Sequence, residues 1–216
     1  MGPAPLAETL NANLELADFR RRVTALYLGE PREGEEGLEW FRRGREKLWL
    51  EHPASSLSSE QRRRFAGLPW FPYDSAARIT SSLEPAATDD EGLVVETGGD
   101  DGVIEYRRVG RLETAFGTLT LFWMTGYGGG LFLPLCDATA GAETYGGGRY
   151  LTDTVKGTHG RGLEWPAAGD ELILDFNYAY NPSCAYNARW ACPLAPAENH
   201  LPAAVRAGEL KYPDPA

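Results

Sequence analysis

The stretch VIEYRRVGRLETAFGTLTLFWM, residues 103–124, decides the fold. Over 103–108, 111–114 and 118–124 apolar and polar side chains alternate with a period of two, the pattern of strands that each cover one face. Gly110 reads as a turn between the first two, and the glycine- and aspartate-rich run 98–102 as a turn before them. Residues 78–83 and 93–97 alternate in the same way, so the region reads as a meander of short antiparallel strands. The apolar runs 131–135 and 171–176 add two more, and 137–170 between them reads as one long loop, a length uncommon in compact domains and often functional. The acidic stretches 89–92 and 98–102 read as exposed turns, because no glutamate follows at the distance a calcium loop requires.

Upstream of the meander the texture is helical. Leu6, Leu10, Leu14, Phe19, Val23, Leu26 and Tyr27 recur at three- to five-residue intervals and predict an amphipathic helix over 6–28, ended by Gly29 and Pro31. A second helix is expected over 35–51, where Leu38, Phe41, Leu48 and Trp49 share a face with the long stem of Arg45, and Pro53 stops it. Ser58 or Ser59 caps a third, short helix, with Phe65 and Leu68 as its apolar contacts. Two prolines and three aromatics make 69–74 an extended strip crossing the body, and the Pro- and Ala-rich chain after Asn177 reads as a C-terminal wrap. The expected class is α+β, mainly β: an antiparallel β-barrel or sandwich-like body with N-terminal helices and a Pro-rich C-terminal wrap. Residues 1–57 form the helical segment and 58–216 the β-rich body, together one structural domain.

Composition narrows the function. With 216 residues, 43% hydrophobic, the chain can bury a sizeable core. Its formal charge, 21 − 31 = −10, repels phosphate backbones and anionic lipid, so neither nucleic acid nor membrane is an expected partner. The triplets Arg20 to Arg22 and Arg62 to Arg64 stand beside Glu15, Asp18 and Glu60 and read as solvated helix faces. No apolar run approaches a membrane span, the first ten residues show neither a basic nor an apolar region, and three cysteines is an odd number; a reducing cytoplasmic setting with free thiols is expected. Oligomeric state is not legible.

Three groups of residues carry possible chemistry. The first is Tyr145-Gly146-Gly147-Gly148-Arg149-Tyr150, where the glycines allow close backbone approach and Arg149 offers a fork to an anion. The alternative is a tight turn with Arg149 paired to a carboxylate such as Asp175. It lacks the setting of a nucleotide phosphate loop, and no cofactor is expected. The second follows 171–176: alternation puts Asp175 and Asn177 on one face and Leu174 and Phe176 on the other, and with Tyr180, Asn181, Asp137, Thr139, Glu143 and Arg149 they either line a polar pocket or form a structural network.

The third group is Cys184, Cys192 and His200. It reads as packed thiols, a redox pair, or, as a weak alternative to no metal at all, a zinc site completed by Glu198 or Asp175. Cys136 reads as core. His52 reads as a helix-terminal cap, and His159 as part of an exposed flexible tip at 157–162.

Several of these stretches also resemble a known family, the domain of unknown function 1684. The resemblance rests on Arg45-Glu46 through His52-Pro53, on Phe65-Ala66-Gly67-Leu68 with Phe71-Pro72-Tyr73-Asp74, and on residues 143–150. It continues in LDFNYAYNPSCAY, residues 174–186, and CPLAPAEN, residues 192–199. It spans nearly the whole chain beyond the first helix and implies no activity. Ser56, Ala197 and His200 depart from it, where Pro, Pro and Arg are usual, so a role for His200 is not a family role.

Two functions remain. One is a binding module whose pocket, formed by 137–150 and 175–199, holds a small polar or anionic molecule through Tyr145, Gly147, Arg149, Asn177, Tyr180 and Asn181. The other is a hydrolase-like enzyme in the same pocket, using Asp175 and Glu198 as acid and base or Cys184 as nucleophile.

Overall fold

The computed structural model describes residues 3–29, 34–87, 92–96, 103–165 and 171–213. It opens with α1 (Pro3–Leu28), α2 (Gly34–Glu51) and the short α3 (Ser59–Arg63). The face of α2 predicted by spacing is the buried one: Leu38, Phe41, Arg45, Leu48 and Trp49 all point into the molecule. Among the described side chains of α1, Val23 and Tyr27 lie in the core and Leu10 and Leu14 are exposed. A capping box starts α3, the Ser58 hydroxyl accepting the Gln61 N–H and the Gln61 side chain accepting the Ser58 N–H.

Eight strands follow: β1 (Arg78–Pro85), β2 (Leu93–Glu96), β3 (Val103–Thr114), β4 (Gly117–Met124), β5 (Gly130–Leu135), β6 (Arg149–Asp153), β7 (Leu163–Glu164) and β8 (Glu171–Asp175). All pair antiparallel in the order β6-β5-β4-β3-β1-β8-β7, with β2 beside β3. The sheet curls into a nearly closed barrel. Where its two edges approach, Gly162 sits so near Leu151 of β6 that any Cβ would collide with the Leu151 carbonyl oxygen, an approach only glycine allows.

Two expectations need correction. Gly110 is not a turn: β3 runs through it, with a bulge between Arg108 and Gly110 that lets Glu84 of β1 come close. Nor is 137–170 one loop, since it contains β6, a 3-10 turn at Thr154–Lys156 and β7. All five residues of β6 are buried, so no alternation marks the strand. Of the expected turn at 89–92 only Gly92 is described, and the one at 98–102 lies outside the described residues.

Both faces of β4, β5 and β6 are covered, and successive side chains divide between two cores. Leu119, Leu121, Leu133, Leu135 and Leu151 join Leu112, Leu163 and Leu174 in an aliphatic core. Phe122, Phe132 and Tyr150 turn the other way, into an aromatic core with Tyr27, Phe41, Trp49, Tyr178, Tyr180 and Tyr186. That second core is the seam between helices and barrel. The strip at 69–74 crosses near it, the Phe71 N–H bonding to the Gly208 carbonyl at 2.9 Å. No helix among the described residues is long and apolar enough to cross a membrane.

Candidate functional site

The aromatic seam is not filled. Between α1, α2 and the chain that follows β8 lies a cavity of about 120 Å³, near the size that accepts a benzene ring. Arg45 and Trp49 come from α2, Phe19, Arg20 and Val23 from α1, and Tyr150 from β6. Tyr180, Asn181, Trp190 and Cys192 close the far side, with Lys156 at the margin.

Arg45 is there because α2 places a cation on its core face, where it needs a buried partner. The partner is Glu209: Nη2 stands 3.1 Å from Oε2, and both side chains are buried. Tyr186 accepts from Arg45 at 3.2 Å and donates to Glu209 Oε1, while the Asn181 N–H donates to Glu209 Oε2 at 2.8 Å. The guanidinium lies over Trp49, 3.9 Å from the ring centroid. Burial pulls the Arg45 pKa down most strongly of any single cause, but Glu209, Tyr186 and Tyr27 together outweigh it and the net direction is up. The charge is permanent.

Four residues lining this cavity carry a buried polar atom without a partner: Arg45 Nε, Trp49 Nε1, Trp190 Nε1 and Asn181 Oδ1. Buried polar groups are rarely left so. The charged lining residues are of one sign, with the carboxylates of Glu209 and Asp153 behind Arg45 and Lys156. Of eighteen lining residues three are cations, Arg20, Arg45 and Lys156, and none is a carboxylate, in a chain of net charge −10. The groove between α1 and α2 contains Glu15, Asp18 and Glu51, and the cleft beside β8 contains Glu164 and Asp175.

The residues singled out from sequence are dispersed. Tyr180 and Asn181 reach the cavity, Tyr180 sharing a 2.6 Å hydrogen bond with Thr158. Cys192 lines it too, with Cys184 beside it and the Tyr145 hydroxyl donating to Cys184 at 3.5 Å. Gly147 packs against the Tyr145 ring and Leu194.

Arg149 lies elsewhere. It pairs with Asp137 at 3.1 Å, not with Asp175, and donates to the carbonyls of Val205, Ala207 and Glu209, fully buried. It fastens the 205–209 segment to β6. Gly148 serves the same junction, its positive φ and missing Cβ allowing contact with the Leu135 carbonyl.

Asp175 and Asn177 do not alternate as strand residues, because β8 ends at Asp175 and Asn177 sits in a 3-10 turn. Asn177 bonds to Asp175 and to both backbone groups of Asp74. Burial pushes the Asp175 carboxyl up, with Arg78 3.8 Å away. Glu198 pairs with Arg108 of β3 at 2.7 Å. Neither carboxylate lines the cavity, so they form no acid and base pair there.

His200 is exposed against the Ala195 carbonyl, and among the described residues no three His, Cys, Asp or Glu converge to hold a metal, so the weak zinc alternative is not assembled. His52 does not cap carbonyls; Nδ1 accepts the Ala54 N–H and Nε2 meets Asp18. The tip at 157–162 is packed on α1, with Arg161 bonded to the Leu26 and Gly29 carbonyls and His159 half-buried. Cys136 is half-buried.

Sequence reasoning missed Arg45, Glu209 and Lys156 as site residues. The usable signal was a lone arginine on the core face of an amphipathic helix.

A family model described as "Protein of unknown function (DUF1684)" matches residues 63–210. An uncharacterized protein of Haloarcula marismortui, solved by NMR in solution, is 32% identical, with a TM-score of 0.55, over 82% of this chain and 93% of its own. No curated protein matches.

Proposed function

The chain belongs to the DUF1684 family, and from that premise we propose that it binds a small molecule carrying one apolar, ring-sized group and one anionic group in the cavity between helices and barrel. The observation that carries the reading is the charge of the lining, three cations without a carboxylate in an acidic chain. The ring-sized part packs among Phe19, Trp49, Tyr150 and Tyr180. The anion sits toward Arg20 and Lys156 and takes hydrogen bonds from the unpartnered indole and guanidinium N–H groups. Asn181 Oδ1 accepts from a donor on the ligand.

Benzoate is a suitable probe, with benzamidine as its cationic counterpart of the same shape. At ten times its dissociation constant benzoate stabilises the fold by about 1.4 kcal/mol, a rise of roughly 3–5 °C in melting temperature for a chain this long. Benzamidine gives no rise. An equal response to both, or to neither, removes the anion preference.

A further inference from the structure

Cys184 and Cys192 lie together at the cavity wall. The Cys184 backbone N–H points at Cys192 Sγ from 3.4 Å, which sets the two cysteines side by side. Tyr145 donates in turn to Cys184 Sγ at 3.5 Å. The donors therefore run one way, from Tyr145 through Cys184 to Cys192, which gathers negative charge on Cys192. The contact with Cys184, helped by nearby Lys156 against the effect of burial, holds the Cys192 thiol below its ordinary value and pushes the Cys184 thiol up. Cys136 has neither arrangement; burial pushes its thiol up.

A low-pKa thiolate, a second thiol in contact and a cavity leading to the first are the three parts of a two-electron thiol switch. We propose that Cys192 is an oxidation site for small hydroperoxides and that Cys184 resolves it to a disulfide. In the first step the Cys192 thiolate attacks one peroxide oxygen. The S–O bond forms and the O–O bond breaks, sulfur loses two electrons, and the departing hydroxide or alkoxide takes a proton to leave as water or alcohol. In the second, Cys184 sulfur attacks the sulfenic sulfur, the S–S bond forms, and the S–O bond breaks. Hydroxide leaves with the Cys184 proton as water. Hydrogen peroxide fits a space of about 120 Å³. The proposal is independent of what else the cavity binds.

The test uses the full chain with one equivalent of hydrogen peroxide at pH 7, followed by thiol counting, intact mass and peptide mapping. Three free thiols fall to one, the mass drops by two hydrogens, a Cys184–Cys192 peptide pair appears, and dithiothreitol restores the start. Cys192 reacts about tenfold faster than Cys136, the higher thiolate fraction outweighing the lower nucleophilicity. In Cys184→Ser, dimedone traps a sulfenic acid on Cys192. Oxidation of Cys136 ahead of Cys192, or failure of the mapped wild-type disulfide to form, overturns the proposal whether or not the variant folds.

Discussion

Arg45 in α2 and Glu209, 164 positions later, form a buried ion pair of 3.1 Å, so the first third of the chain and the segment bridged to Trp70 share one pair of charges. Tyr186 and the Asn181 N–H complete it, and Trp49 covers the guanidinium. Arg45 forms part of the cavity wall with Glu209 behind it, and the pair joins helices to barrel.

Arg45→Met leaves Glu209 charged and buried without its partner. A loss of about 3–5 kcal/mol is expected in urea unfolding. Adding Glu209→Gln to Arg45→Met recovers a large part of it. Equal loss in the single and double variants sinks the pairing argument.

Asn199 ties two strands together: its Oδ1 accepts the Thr120 N–H at 2.8 Å, and its amide donates to the carbonyls of Thr120 and Pro134. Asn199→Ala strands these buried groups, at roughly 2–4 kcal/mol, measured as a shift of the urea midpoint. A loss below about 1 kcal/mol means water replaces the side chain without difficulty.

Burial raises the Asp153 carboxyl pKa, against the pull of Lys156 and of backbone N–H groups. A carboxyl raised on folding favours the folded state most when protonated, and that contribution is lost as pH rises through its folded pKa. Asp153→Asn keeps an oxygen for the Lys156 N–H and removes the charge. The wild type therefore gains on Asp153→Asn as pH falls from 7 toward 4. A stability difference independent of pH contradicts the shift.

The Cys192 thiolate absorbs in the ultraviolet, and its titration midpoint is expected below the ordinary thiol value and below that of Cys184. Cys184, Lys156, Tyr150, Tyr145, Arg20 and Arg45 are the titratable and charged groups around it. Because the Lys156 cation lowers the value, Lys156→Met moves the midpoint up. A midpoint unchanged by Lys156→Met removes the charge argument.

The parts of the fold written as periodicity were legible before any coordinates. The buried face of α2, from Leu38 to Trp49, and the alternating segments of β3 on either side of Gly110 are of that kind. The strand 149–153 was not, because a segment covered on both faces shows no alternation and begins with an arginine. Site residues fared worse for a different reason. Arg149 looked ligand-facing, yet its donors go to Asp137, 12 positions back, and to the carbonyls of Val205, Ala207 and Glu209, 56 to 60 positions on. Tyr180, Asn181 and Cys192 do reach the cavity, but the wall opposite them comes from Arg45 and Trp49, whose helix reads from sequence as packing.

The most direct test of the binding claim follows the six tryptophan indole N–H signals by ¹⁵N-resolved NMR as benzoate is added. Trp49 and Trp190, whose indole N–H groups lack partners at the cavity, shift together and saturate at one dissociation constant, while Trp40, Trp70, Trp123 and Trp165 stay in place. Saturation without movement of Trp49 and Trp190, or no saturable shift at all, contradicts the account.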